Sequence, residues 1–294
     1  MLNAPSAGPF VDAHVHFWDR AVEGLRWRFL EPDFEHPRLG GLKKLSAPRY
    51  AVSELRTDQA GCDVSKVVHV QAAQSDDPVL ETAWLQDLGD REGWPTAIVG
   101  YCDLSGPDAG DVVARHAGFP RFRGVRDLQA GERLDHPDVV RGFGLVAQTG
   151  TTIEVMTSWN HFHLLQLLVD RWPDAPIVLG HSGLPTSRTD EYFEAWSAAM
   201  GQLARRAPNM TCKISALASG ADPNWSVESI RRWVVGCIEA FGPQRCMFAS
   251  NWPVDKLFGT YPDLVAAYGR IAEDLSTEDR RELFSGTCER VYRI

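Results

Sequence analysis

Eight short runs rich in Val, Ile and small residues alternate with amphipathic stretches along this chain, and that alternation limits the fold more than any single motif. The runs fall at 10–16 (FVDAHVH), 66–71 (KVVHVQ), 96–102 (TAIVGYC), 121–126 (RFRGVR), 151–156 (TTIEVM), 176–181 (PIVLGH), 210–215 (MTCKIS) and 246–250 (CMFAS). Helical patterns are predicted between them at 52–60, 78–91, 108–117, 138–148, 161–171, 189–206 and 226–241, with 261–275 and 277–292 after the last strand. Alternating strands and helices build right-handed βαβ units and hence a parallel sheet. Eight units predict an α/β protein of the (β/α)8, TIM-barrel type. A nucleotide-binding doubly wound sheet would carry a glycine-rich turn after its first strand, and none follows here. The 294 residues suit one barrel domain, 1–294, without linker or low-complexity tract.

One segment breaks the alternation. Residues 17–50 hold Trp18, Trp27, Phe29, Phe34 and Tyr50 among Pro, Gly and charged residues, with no sustained period. A long irregular stretch rich in aromatics reads as a functional loop rather than disorder. A lid over the site is expected, with Trp18 and, after the eighth strand, Trp252 placed to stack on a flat or sugar ring.

Partners are bounded by charge and composition. With 39 Asp and Glu against 30 Lys and Arg and no basic block, neither nucleic acid nor an anionic membrane surface is expected. No apolar run reaches the ~20 residues that span a bilayer, and the N-terminus lacks the pattern of a signal peptide. A cytoplasmic protein acting on a small molecule is expected, and enzymes of this kind are often symmetric homo-oligomers. The six cysteines form no C-x-x-C pair, so neither a zinc knuckle nor a disulfide framework is indicated.

In a barrel the active site lies at the C-terminal ends of the strands, so its candidates can be named from the alternation. His14 and His16 close the first strand two residues apart, on one face if the strand is regular. Such a pair can bind a divalent metal, polarise a carbonyl or move protons near neutral pH. Asp12 would share that face and orient the pair. Gln71 and Gln74 follow the second strand. Arg121, Arg123 and Arg126 bracket the fourth, and Arg123 or Arg126 could grip a carboxylate. Glu154 sits inside the fifth strand, either functional or paired. His181 closes the sixth, Lys213 and Ser215 leave the seventh, and Asn251 follows the eighth.

Taken in order, VDAHVHFWD, RFRGVRD, VLGHSGLP and MFASNWPV resemble the amidohydrolase-2 branch of the amidohydrolase superfamily over nearly the whole chain, and look like its sugar-lactone and pyrone-dicarboxylate lactonases. The resemblance implies a (β/α)8 barrel that hydrolyses a small anionic or hydroxylated lactone, a carboxylic ester, in small-molecule catabolism. Its core would be His14, His16, His181 and position 251. Some relatives use a divalent metal, most simply Zn2+, which here would fall on His14, His16 and His181, and others work without one. The family's usual G-S-D-W-P reads Ala249-Ser250-Asn251-Trp252-Pro253, and Gly180 stands where relatives often carry aspartate.

Asparagine is neutral and is no useful base, so the departure at 251 splits the expected chemistry. Another group takes the base role (a histidine of the trio, Glu154 or Asp255), or the reaction is a decarboxylation, ring closure or dehydration, or the barrel only binds its ligand. Loss of an anionic donor also weakens the case for a tightly bound dication.

Overall fold

The computed structural model describes residues 8–36, 39–218 and 221–294. Among them, strands β1 (Phe10–Val15), β2 (Val64–Val70), β3 (Ala97–Tyr101), β4 (Phe122–Arg126), β5 (Thr152–Val155), β6 (Ile177–Leu179), β7 (Thr211–Ile214) and β8 (Cys246–Phe248) pair in parallel in chain order. The ring closes where Val15 bridges Trp252 in parallel and the His16 N–H donates to the Trp252 carbonyl at 2.8 Å.

Each strand is followed by its own helix: α1 (Val52–Asp58), α2 (Leu80–Glu92), α3 (Ala109–His116), α4 (Pro137–Gln148), α5 (Phe162–Arg171), α6 (Asp190–Arg206), α7 (Val227–Phe241) and α8 (Tyr261–Ile271). The local chemistry explains several starts. The Thr189, Ser226 and Thr260 side chains accept from Tyr192, Ser229 and Asp263 N–H groups that a helix N-terminus leaves without partners. No helix among the described residues is long and apolar enough to cross a membrane.

Strand alternation sorts the barrel into two layers. Val11, Ala13, Val68, Val70, Ala97, Val99, Val178, Met247 and Ala249 form one buried cluster. Because β1, β2, β3, β6 and β8 all contribute, these side chains fill the barrel interior. The alternate residues, such as Val67, Ile98 and Ile153, face the helices.

Glu154 and Lys213 also lie among the buried residues and are 3% and 0% exposed. Lys213 Nζ donates to Glu154 Oε1 at 2.7 Å, and the same oxygen accepts the hydroxyl of Tyr292 at 2.5 Å. Tyr292 ends α10 (Thr287–Tyr292), which follows α9 (Thr277–Arg281) and a π-helical turn (Glu282–Gly286) whose Phe284 ring packs on Phe10 and Phe248. The C-terminal segment therefore seals one end of the barrel. The carboxylate predicted as a substrate contact is instead neutralised inside it, because a buried charge requires a partner.

The segment after β1 is more ordered than its sequence suggests. Trp18–Asp19 pairs antiparallel with Arg49–Tyr50, and short 3-10 turns form at Arg28–Leu30 and Lys43–Leu45. Trp18, Leu25, Trp27, Leu30, Leu42 and Leu45 are buried against the barrel. Arg26 and Gln74 exchange both backbone hydrogen bonds, which ties the segment to the end of β2.

Candidate functional site

At the C-terminal ends of the strands lies a cavity of about 510 Å3. Its floor is polar: His16, Gln71, Arg126, His181, Asn251 and Asp255 line it. The approach of His14 to His16 depends on an irregularity. Val11 and Ala13 face the interior, so regular alternation would turn His14 outward, but the register shifts between Asp12 and Val15. The Nε2 atoms of His14 and His16 come within 3.1 Å, and the His14 ring lies 4.6 Å from that of His181. Asp12 does not share their face. It accepts the His14 and Ser250 N–H groups and the Ser250 and Tyr261 hydroxyls, pinning the end of β1 to that of β8.

Hydrogen bonds fix how each ring presents itself. His16 Nδ1–H donates to the Val70 carbonyl at 2.8 Å, which leaves its Nε2 as an acceptor for His14 Nε2–H. His181 Nδ1 pairs with Ser215 Oγ at 2.8 Å. Burial first, then the cations Lys213 and Arg126 and the neighbouring imidazoles, holds His14 and His16 well below the ordinary histidine range, so both are neutral at physiological pH.

Position 251 has a left-handed backbone. Its φ is +56°, in the left-handed region that Asn tolerates better than most residues. His181, Ser182, Leu184 and Ala216 also have positive φ, between +51° and +55°. This cluster of strained backbone at the ends of β6, β7 and β8 marks a site the fold maintains at a cost. Asn251 Nδ2–H donates to Asp255 Oδ1 at 2.8 Å. Burial raises the Asp255 carboxyl well above the usual range, with the Asn251 bond opposing it and Asp12 adding to it.

Arg126 is 5% exposed and donates one Nη to the Gln71 carbonyl. Burial lowers its guanidinium to about 10, still charged at neutral pH. Three atoms of the floor residues are buried without a hydrogen-bond partner among the described residues: Gln71 Oε1, Arg126 Nε and Asp255 Oδ2. Buried polar groups are rarely left unpaired, and these three, themselves shielded from solvent, are among several such atoms across the described residues.

Other expected contacts fall elsewhere. Arg123 bonds the carbonyls of Pro120 and Phe122 and lies outside the cavity, since it starts β4 rather than ending it. Trp18 packs at a tilt against Tyr50 and donates to the Ala47 carbonyl. Trp252 packs on Tyr261 and donates to Asp58. Both indoles are core, and the cavity's aromatic wall is formed instead by Phe29 and Phe34 of the same segment. The run Leu184-Pro185-Thr186 also lines the cavity, and only its place directly after the sixth-strand histidine could have signalled it.

The profile of the family described as Amidohydrolase matches residues 11–294. An uncharacterised protein, y4mH, of Sinorhizobium fredii is 35% identical over 97% of this chain and 98% of its own. An L-fucono-1,5-lactonase of Burkholderia ambifaria is 28% identical over 97% of this chain and 95% of its own. A crystal structure of an amidohydrolase from Burkholderia multivorans with bound zinc superposes with a TM-score of 0.82 at 28% identity, covering 98% of this chain and all of that one.

The donors here suit a zinc ion only in part. Two Nε2 atoms 3.1 Å apart could share one ion. However, the amide at 251 is turned to Asp255, and among the described residues no three His, Cys, Asp or Glu side chains converge as a ligand set. The trio His14, His16 and His181 is thus brought together without forming one.

Proposed function

Because this chain belongs to the amidohydrolase family, whose profile spans residues 11–294, we propose that it opens a small anionic or hydroxylated lactone by attack of water on the ring carbonyl. The observation that carries this reading is the Asn251–Asp255 couple, two residues that line the cavity, in which a buried carboxyl has one oxygen held at 2.8 Å and the other without a hydrogen-bond partner among the described residues. Asp255 takes the proton of the attacking water. Asn251 steadies the carboxylate by the hydrogen bond it donates. A buried, elevated carboxyl is better matched to this task near neutral pH than an ordinary one. Glu154 is less suited to the role, since its Oε1 is taken by Lys213 and Tyr292 and the residue does not line the cavity.

The remaining requirements fall to the other floor residues. As water adds to the carbonyl carbon, negative charge grows on its oxygen, and Arg126 and His181 stabilise it. Collapse of the adduct breaks the ring C–O bond, and the departing alkoxide recovers the proton from Asp255. A substrate carboxylate would pair with Arg126. Similarity to L-fucono-1,5-lactonases supports a lactone as the ester.

Hydrolysis in H2(18)O tests the reading directly, since one labelled oxygen must enter the product carboxylate. The neutral amide at 251 also favours a second reading, in which no activated water is wanted and the reaction is a decarboxylation, ring closure or dehydration. Its product would carry no label.

A further inference from the structure

The cavity is divided along its depth. The floor holds Gln71 Oε1, Arg126 Nε and Asp255 Oδ2 without partners among the described residues. The outer wall is formed largely by Phe29, Phe34, Leu39, Leu42, Leu184 and Val254. Among the described residues, most polar side chains that reach this wall are already engaged: Arg28 forks onto Asp33 at 2.7 and 3.1 Å, Thr186 Oγ1 meets Tyr192 OH at 3.2 Å and His36 Nδ1 accepts the Leu39 N–H at 3.2 Å, which leaves Gln74 as the one side-chain amide. A ligand of this shape of environment needs one polar end, for the floor, and one end that asks nothing of its surroundings.

We infer that the substrate is a lactone bearing an alkyl or aryl group opposite its carbonyl, not a polyhydroxylated sugar lactone. A sugar lactone would carry several hydroxyls into the wall, where all but one or two, for which Gln74 is at hand, would lose their water without gaining a partner among the described residues. An alkyl or aryl group there exchanges water for Phe and Leu side chains, the favourable direction of transfer. A site that cannot pair a substrate's hydroxyls discriminates weakly per group, but several together give about 10-fold or more. The inference rests on the lactonase reading for the polar end of the substrate only; the apolar end is read from the wall.

The test compares three δ-lactones with one ring: unsubstituted δ-valerolactone, δ-nonalactone with its alkyl chain, and glucono-1,5-lactone. The expected result is a kcat/KM for δ-nonalactone at least 10-fold above that for glucono-1,5-lactone, residing mostly in KM. Phe34→Ser, at a partly exposed wall position, should narrow that ratio several-fold. Hydrolysis with the sugar lactone equal or preferred overturns the inference and leaves the lactonase reading standing. If no lactone is hydrolysed, the lactonase reading fails, and the wall is tested by thermal shift with the alkyl δ-lactam against gluconolactam. A larger Tm increase with the alkyl lactam supports the inference; an equal or smaller one, or none with either, overturns it.

Discussion

Asn251 donates its side-chain amide across 2.8 Å to Asp255, a buried carboxyl one helical turn further on. This relationship sets a pH dependence. The base must be ionised to act, and burial raises the Asp255 carboxyl, so kcat/KM rises with pH along a limb above the ordinary carboxylate range. Asn251 favours the ionised form, and Asp12 and the cavity's own polar groups surround the pair. In Asn251→Ala that stabilisation is lost and the limb moves to higher pH, by about one unit or more for a charged hydrogen bond of ~1.5–3 kcal/mol. A pH–rate profile of both proteins checks the direction.

The ion pair inside the barrel is expected to matter for stability and not for substrate contact. Lys213→Met leaves Glu154 charged and buried, which typically costs about 3–5 kcal/mol. Adding Glu154→Gln should recover most of that loss. Urea unfolding of the two variants, with unchanged m-values, checks it.

Two arginines of β4 should separate cleanly. Arg126→Gln removes the cation on the floor, and kcat/KM for a carboxylate-bearing lactone should fall by roughly 10- to 100-fold, the range of a charged hydrogen bond. Arg123→Ala, outside the cavity, should leave kcat/KM within about 2-fold. Steady-state kinetics on both decides.

The barrel was legible because eight strand–helix units repeat, and a parallel sheet follows from that order alone. His14, His16 and His181 were legible as strand ends. Their meeting was not, since it depends on the register shift after Asp12 and on a φ of +51° at His181, neither of which leaves a mark in residue type. Trp18 and Trp252 were misplaced because a large aromatic side chain in a loop reads equally well as wall or core. Glu154 was ambiguous until Lys213, 59 positions away, and Tyr292 at the far end of the chain met it.

Zinc content follows from the donor at 251. Asn251→Asp adds an anionic oxygen to the cavity that His16 and His181 also line, and zinc affinity should rise by about 10-fold or more. After parallel dialysis against dilute zinc, the variant should approach one ion per chain and the wild type should hold less, as measured by elemental analysis.

The most direct measurement follows proton release from a lactone panel with the wild type, Asp255→Asn and Asn251→Asp side by side. With Asp255 as base, the wild type hydrolyses, Asp255→Asn loses about 100- to 10,000-fold in kcat, and Asn251→Asp is no faster than wild type. Hydrolysis that survives Asp255→Asn within a few-fold, or that emerges only in Asn251→Asp, would contradict the assignment.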